Sequence, residues 1–191
     1  PLTTTTPITA WSSYGYGKGS YTMSSGEECD VEIPYTMPGD VATIEIRRAQ
    51  KAFLKEVITS SPQRLAPRCP HYTICGGCRY QHIPYSMQSD NKVSFIKDLF
   101  PEHHPVMRPF ICCDSSWHYR NKMDFTFSND KKGTLFLGLM MPNNRGKVVN
   151  IISCSIVDSW FTSTLEYARE WWLESGLQAY RHHCDKGSLR S

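Results

Sequence analysis

The chain has 191 residues, 40% of them hydrophobic and 20% charged, with eight cysteines and a formal net charge of +3. This composition is that of a globular protein with room for one large or two small domains, and it excludes a disordered chain. A Thr-rich start without a basic-then-apolar order is not a secretory signal, and no apolar run approaches the length needed to cross a bilayer. A cytoplasmic, reducing setting follows as the expectation. There cysteines read as metal ligands, catalytic thiols or small core residues before they read as disulfides.

In chain order, residues 1–10 are expected to be a disordered tail. Residues 11–62 carry short β-type runs broken by turn chemistry, the pattern of a small barrel. Tyr14-Gly15-Tyr16-Gly17-Lys18-Gly19 reads as a flexible glycine loop. Cys29 to Ile33 alternates polar and apolar residues as a half-buried strand does. Pro38-Gly39-Asp40 marks a turn before a strand with Val41, Ile44 and Ile46, and Ala52 to Thr59 gives another. Residues 63–83 form a loop dense in Cys, Gly and Pro. Pro84 to Phe100 reads as a helix that Pro101 ends.

The clearest strand pattern follows, Trp117, Tyr119, Met123, Phe125 and Phe127 alternating with His118, Arg120, Lys122, Asp124 and Thr126, with an aromatic face expected in the core. Gly133 to Met140 and Lys147 to Ile152 look like further strands of the same sheet. Asp158 is placed to cap a helix with the apolar stripe Phe161, Leu165, Ala168 and Trp172, ending at Gly176. Trp171 and Trp172 are assigned to helix packing. The expected fold class is α+β: an N-terminal all-β, OB-like barrel, a cysteine-rich loop, and a mixed α/β central domain over residues 84–191.

Cys69, Cys75 and Cys78 have the spacing C-x5-C-x2-C, close enough to converge on one centre. Both a 4Fe–4S cluster and an all-cysteine zinc site need a fourth thiolate. Cys29, Cys112, Cys113, Cys154 and Cys184 are the candidates, and spacing alone chooses neither among them nor between iron and zinc. His82 reads as a hydrogen-bonding loop residue rather than a ligand. Residues 45–68 hold Arg47, Arg48, Lys51, Lys55, Arg64 and Arg68 against Glu45 and Glu56, an excess of positive charge suited to phosphates or to a solvated face.

The string Cys75-Gly76-Gly77-Cys78-Arg79-Tyr80-Gln81-His82 resembles the bacterial RNA (uracil-5-)-methyltransferases that carry a 4Fe–4S cluster, of the kind acting on 23S ribosomal RNA. Residues 61–69, and Tyr85, Gln88 and Lys92, are similar to the stretches flanking that family's cluster loop. Gly15 to Gly19 and Met37 to Asp40 resemble a TRAM domain, an RNA-binding barrel of OB type. Tyr119 to Met123 and Val149 to Val157 resemble the family's central sheet, the second stretch bearing its fourth cluster cysteine.

The resemblance therefore implies Cys69, Cys75, Cys78 and Cys154 as ligands of a 4Fe–4S cluster. It implies RNA as the partner, ribosomal RNA before transfer RNA, with no DNA and no membrane. S-adenosylmethionine would serve the full-length enzyme only, in which a thiolate attacks carbon 6 of the uracil and makes carbon 5 nucleophilic. No glycine-rich donor site or nucleophile context appears in these residues, and Cys184 lacks the latter. The chain is thus expected to be a fragment without the catalytic domain, holding no catalytic residue and inactive alone. The RNA-facing candidates are Tyr16, Lys18, Arg47, Arg48, Lys51, Lys55, Arg79, Arg120 and Lys122. The competing expectation is a stand-alone, metal-containing RNA-binding module without catalytic activity.

Overall fold

The computed structural model describes residues 1–47, 51–142, 144 and 146–191. Arg48, one of the RNA-facing candidates, lies outside the described residues. The chain is β-rich, with small antiparallel sheets and few helices, and it divides into two compact units.

The first unit comprises residues 1–66 and 80–112. One sheet has the order β1-β5-β6, from β1 (Leu2–Pro7), β5 (Val41–Arg47) and β6 (Lys51–Thr59). The other has the order β2-β3-β4, from β2 (Ala10–Trp11), β3 (Gly17–Thr22) and β4 (Glu28–Ile33). Along β5 the period of two puts Ala42, Ile44 and Ile46 inside and turns Thr43 and Glu45 away. These three meet Ile8, Tyr21, Val31, Ile33 and Ala52 in one core drawn from both sheets.

Residues 1–10 are not a tail. β1 pairs with β5 from Leu2↔Ile46 to Pro7↔Val41, and Thr6 and Ile8 are buried. The inward set Thr4, Thr6 and Ile8 is a strand pattern that threonine's polarity conceals, although its β-branch favours extended backbone. The buried Thr6 hydroxyl accepts from the Ser20 amide at 3.1 Å, so its burial leaves no orphaned acceptor.

The glycine loop is likewise half strand. Gly15 takes the positive φ of a turn, +71°. Gly17 and Gly19 lie in β3, where close packing rather than flexibility requires them. A Cβ on Gly17 would lie 2.2 Å from the Thr36 hydroxyl oxygen and 2.5 Å from the Ile8 side chain.

The Pro38-Gly39-Asp40 turn is anchored by a buried carboxylate. Asp40 accepts from the Met37 and Ser61 amides, each at 2.9 Å, and from the Arg64 guanidinium at 2.6 Å. Arg64 also donates to the Tyr35 carbonyl. This arginine, counted above among charges available to phosphate, is committed to the interior. Beside it, burial and the Arg64 charge push His82 down to about 4, so its buried imidazole is neutral. Helix α1 (Tyr85–Leu99) follows Pro84 and stops before Pro101, as expected. It groups with the first unit rather than with the central domain.

The second unit comprises residues 67–79 and 113–191. Its sheet has the order β7-β8-β9, from β7 (Thr126–Asn129), β8 (Leu135–Met140) and β9 (Val148–Asn150). Helix α2 (Ser159–Ser175) buries Phe161, Leu165 and Trp172, and Gly176 ends it at φ +67°. Trp172 meets Phe127 edge-on at 5.0 Å. Asp158 occupies the N-cap position without a side-chain capping bond; its backbone carbonyl accepts from Phe161 instead. Trp171, assigned to packing, is half exposed.

The strand expected from Trp117 onward begins only at Thr126. His118 takes φ +55°, which breaks an extended run. The amides of His118 and Arg120 donate to the Ser155 and Ile156 carbonyls rather than to a sheet neighbour. Trp117, Met123 and Phe125 still pack on Ile156, Val157 and Phe161, but Tyr119 is exposed. Burial follows this pinning of the segment rather than its alternation.

Candidate metal centre

All four candidate ligands belong to the second unit. Cys75 is buried and packs in the core with Leu137, Ile151 and Leu165, against which Cys154 also lies. Cys78 and Cys154 pack on the adjoining cluster of Ile156, Val157 and Phe161. Cys69 and Cys75 each feel the charge of Cys154, so the loop and the segment after β9 lie within electrostatic reach of one another. Among the described residues, no group of three or more His, Cys, Asp or Glu side chains stands where it could hold a metal ion.

The loop's shape follows from a few polar contacts. The amide of Cys75 donates to the His71 carbonyl at 2.8 Å, and that of Gly76 to the Met140 carbonyl at 3.0 Å, tying the loop to the end of β8. A Cβ on Gly76 would lie 2.9 Å from that same Met140 oxygen. Thr73 takes φ +69° to turn the chain, and the Tyr72 hydroxyl closes the loop on the Arg79 carbonyl at 2.6 Å. Gly76 therefore permits close approach to β8, while the reversal itself falls on Thr73.

Backbone N–H groups aim at the sulfurs. Gly77 donates to Cys75 Sγ at 3.3 Å, and the His71 and Tyr72 amides bond to Cys69. Burial pushes the Cys75 thiol up, and the Cys78, Cys69 and Cys154 thiols push it further, while the Gly77 amide opposes them. Burial also raises Cys69, with a smaller push from Cys154, against the pull of the two amides. Clustered half-buried thiols of this kind hold their protons until a cation replaces them, and the N–H donors then stabilise the thiolates.

His71 is the residue that spacing missed. Its Nε2 accepts from the Ile152 amide at 3.2 Å, joining the cysteine loop to the Cys154 segment. Nothing in the local sequence marks a histidine two places after a cysteine for that role. Nearby, the Arg68 guanidinium lies 5.0 Å above the Trp117 ring. His82 belongs to the other unit, as a buried loop residue whose carbonyl accepts from Leu65.

The RNA-facing candidates do not gather in one unit. Tyr16, Lys18, Arg47, Lys51 and Lys55 are in the first, and Arg79, Arg120 and Lys122 in the second. On the outer face of β5 and β6, Arg47 stands opposite Lys51 and 4.5 Å over the Phe53 ring. Glu45 bonds Arg47 at 2.5 Å and Lys55 at 3.3 Å, which tempers that patch. Arg120 donates to the Lys122 carbonyl, and Lys122 stands 3.7 Å from Asp124. Lys and Arg outnumber acidic residues in the second unit and not in the first, so the positive excess sits with the cysteines.

No protein-family model matches the chain. Curated relatives do. An uncharacterized RNA methyltransferase of Protochlamydia amoebophila is 38% identical over 167 residues, 84% of this chain and 38% of the relative. Proteins of the same description from Clostridium acetobutylicum and Chlorobaculum tepidum are 31% and 30% identical over 84% and 81% of the chain, covering 37% and 36% of their own lengths. The chain thus belongs with a family of proteins named RNA methyltransferases, as a homologue of part of their length. It spans little more than a third of the relatives it matches.

Among the described residues, no helix is long and apolar enough to cross a membrane.

Proposed function

We propose that the chain is the RNA-holding and iron–sulfur part of an S-adenosylmethionine-dependent RNA (uracil-C5) methyltransferase of the cytoplasm, acting on ribosomal RNA. The observation that supports the metal part is that Cys69, Cys75, Cys78 and Cys154 lie in one unit, with Cys69 and Cys75 within electrostatic reach of Cys154 and backbone N–H groups directed at both. The relatives' printed names support the methyltransferase part. In this reading the two sheets of the first unit make a TRAM-type barrel, and methyl transfer belongs to the relatives' length that these residues do not span. The 191 residues alone are then inactive.

The four thiolates would hold a 4Fe–4S cluster, each on its own iron and therefore wider apart than the ligands of one ion. The cluster would supply a cross-link between the loop and the segment after β9, in a unit whose sheet is small. His71 and the Gly76 contact position that loop, and Arg47, Lys51 and Lys55 offer charge to RNA phosphates beside the Phe53 ring. A target base must leave its stack to reach a separate catalytic site, so a surface for single-stranded RNA suits the reaction.

The test is anaerobic purification followed by a visible spectrum and iron, sulfide and zinc assays. About four irons with matching sulfide and a broad band near 400 nm are expected. Cys78→Ser and Cys154→Ser should lose both, and Cys29→Ser neither. A colourless protein with one zinc would overturn the cluster and leave a zinc-containing RNA-binding module.

A further inference from the structure

Within the first unit an open cavity of about 330 Å³ lies between the Trp11–Gly15 segment and α1. Its size falls in the range of small-ligand sites, about 300–1,000 Å³. Five aromatic rings line it, those of Trp11, Tyr14, Tyr80, Phe95 and Phe110. Such a density of rings around open space is not core packing, because Tyr14 and Phe110 are exposed.

Its amide and ammonium groups come from one face of α1. Gln88, Asn91 and Lys92 precede Phe95 at spacings of seven, four and three residues, which stack on a helix surface. Two amides and an ammonium group thus stand beside the rings. Asn91 offers a donor and an acceptor for the edge of a base, Gln88 its carbonyl oxygen as an acceptor, and an ammonium suits a phosphate.

The rings are held in advance. The Tyr80 hydroxyl donates to the Tyr14 carbonyl, and Gln88 Nε2 donates to the Tyr80 and Ile83 carbonyls at 3.2 and 2.8 Å. Gly15, at positive φ, lets the backbone lie against the Tyr80 ring; a Cβ there would be 2.9 Å from it. Preorganised walls lower the ordering cost of binding.

A second, more polar groove shares Trp11, Asn91 and Phe95 with the cavity and is lined by Lys18 as well as by Asp90 and Asp98. Its two carboxylates outnumber its one ammonium, whereas Lys92 is the charged group that lines the ring-walled cavity itself.

We infer that this cavity is a binding site for one unstacked nucleobase of single-stranded RNA, with rings for its faces, the Asn91 amide and the Gln88 carbonyl oxygen for its edge, and Lys92 for the adjoining phosphate. The inference rests on the RNA-binding part of the function proposed above, and adds a base-specific subsite on α1.

The test is equilibrium binding of the protein to a short fluorescent oligouridylate at fixed salt, with Tyr14→Ala, Phe110→Ala and Lys92→Gln. Each aromatic variant is expected to weaken binding about 5- to 100-fold with an unchanged salt slope. Lys92→Gln is expected to weaken it and lower that slope by about one. Four-thiouridine in the same oligonucleotide should cross-link to peptides carrying Trp11, Tyr14 or Phe110. Thermal unfolding checks that the exposed substitutions leave the fold intact. Unchanged affinity in both aromatic variants, with cross-links elsewhere, would overturn the subsite and leave RNA binding standing. Absence of any RNA binding by the unaltered protein would overturn both.

Discussion

His71 Nε2 accepts a hydrogen bond from the backbone amide of Ile152, and this contact spans from the cysteine loop to the strand end that leads to Cys154. Partners of this kind orient ligands, and their loss typically costs about 10- to 100-fold in metal affinity. His71→Leu is therefore expected to lower iron retention against a chelator by about that factor while secondary structure persists. The half-life of the visible absorbance in the presence of the chelator measures it. An unchanged half-life would remove His71 from the centre.

Gly76 and Gly77 are adjacent and should respond differently. A Cβ at Gly76 meets the Met140 backbone oxygen at 2.9 Å, whereas one at Gly77 meets Cys75 Sγ and the Leu139 side chain at 3.4 and 3.5 Å, ordinary contacts. Gly76→Ala should destabilise the second unit by about 1–3 kcal/mol, the usual cost of overpacking. Gly77→Ala should cost much less. Denaturant titration of the two variants beside the unaltered protein decides the order.

Asp40 binds two amides and the Arg64 guanidinium with no solvent exposure of its own side chain. Asp40→Ala leaves a largely buried arginine without its counter-charge, which costs on the order of 3–5 kcal/mol. The midpoint of denaturant unfolding should fall accordingly. Lys55→Ala, whose pairing with Glu45 is at the surface, should shift it by less than about 1 kcal/mol.

His82 gives the first unit a pH dependence of known sign. Its folded value is about 4, below the ordinary 6.5. Between those values the unfolded chain binds a proton that the folded chain excludes, so stability falls as pH falls from 6.5 toward 4 and is complete above 6.5. The full effect is on the order of 3 kcal/mol. His82→Gln should flatten the slope in unfolding experiments across that window; an equal slope in the variant would place its origin elsewhere.

Much of the fold could be read locally. Alternation marked β4, apolar runs between turns marked β5 and β6, and a 3.6-residue stripe marked α2, because burial on one face leaves its pattern directly on the residues. The proline boundaries of α1 and the αL glycine after α2 were legible for the same local reason. The C-x5-C-x2-C spacing put three thiols on one short loop, and the structure keeps Cys69, Cys75 and Cys78 in one unit. Where local pattern misled, a distant partner had decided the backbone. The threonines of β1 become a strand through β5, and the Trp117 alternation is overruled by bonds to residues 155 and 156.

By itself, then, the sequence determined which segments have periodic faces and where turns interrupt them, and it singled out three closely spaced cysteines as candidate ligands. Its resemblance to a known family named Cys154 as their companion. Only the tertiary structure decided that His71 ties their loop to that segment, that Arg64 serves Asp40 rather than a phosphate, and that α1 turns Gln88, Asn91 and Lys92 toward a ring-lined cavity. Each of these is a contact between segments far apart in the chain, and no local spacing encodes which distant group a side chain meets once the backbone has folded.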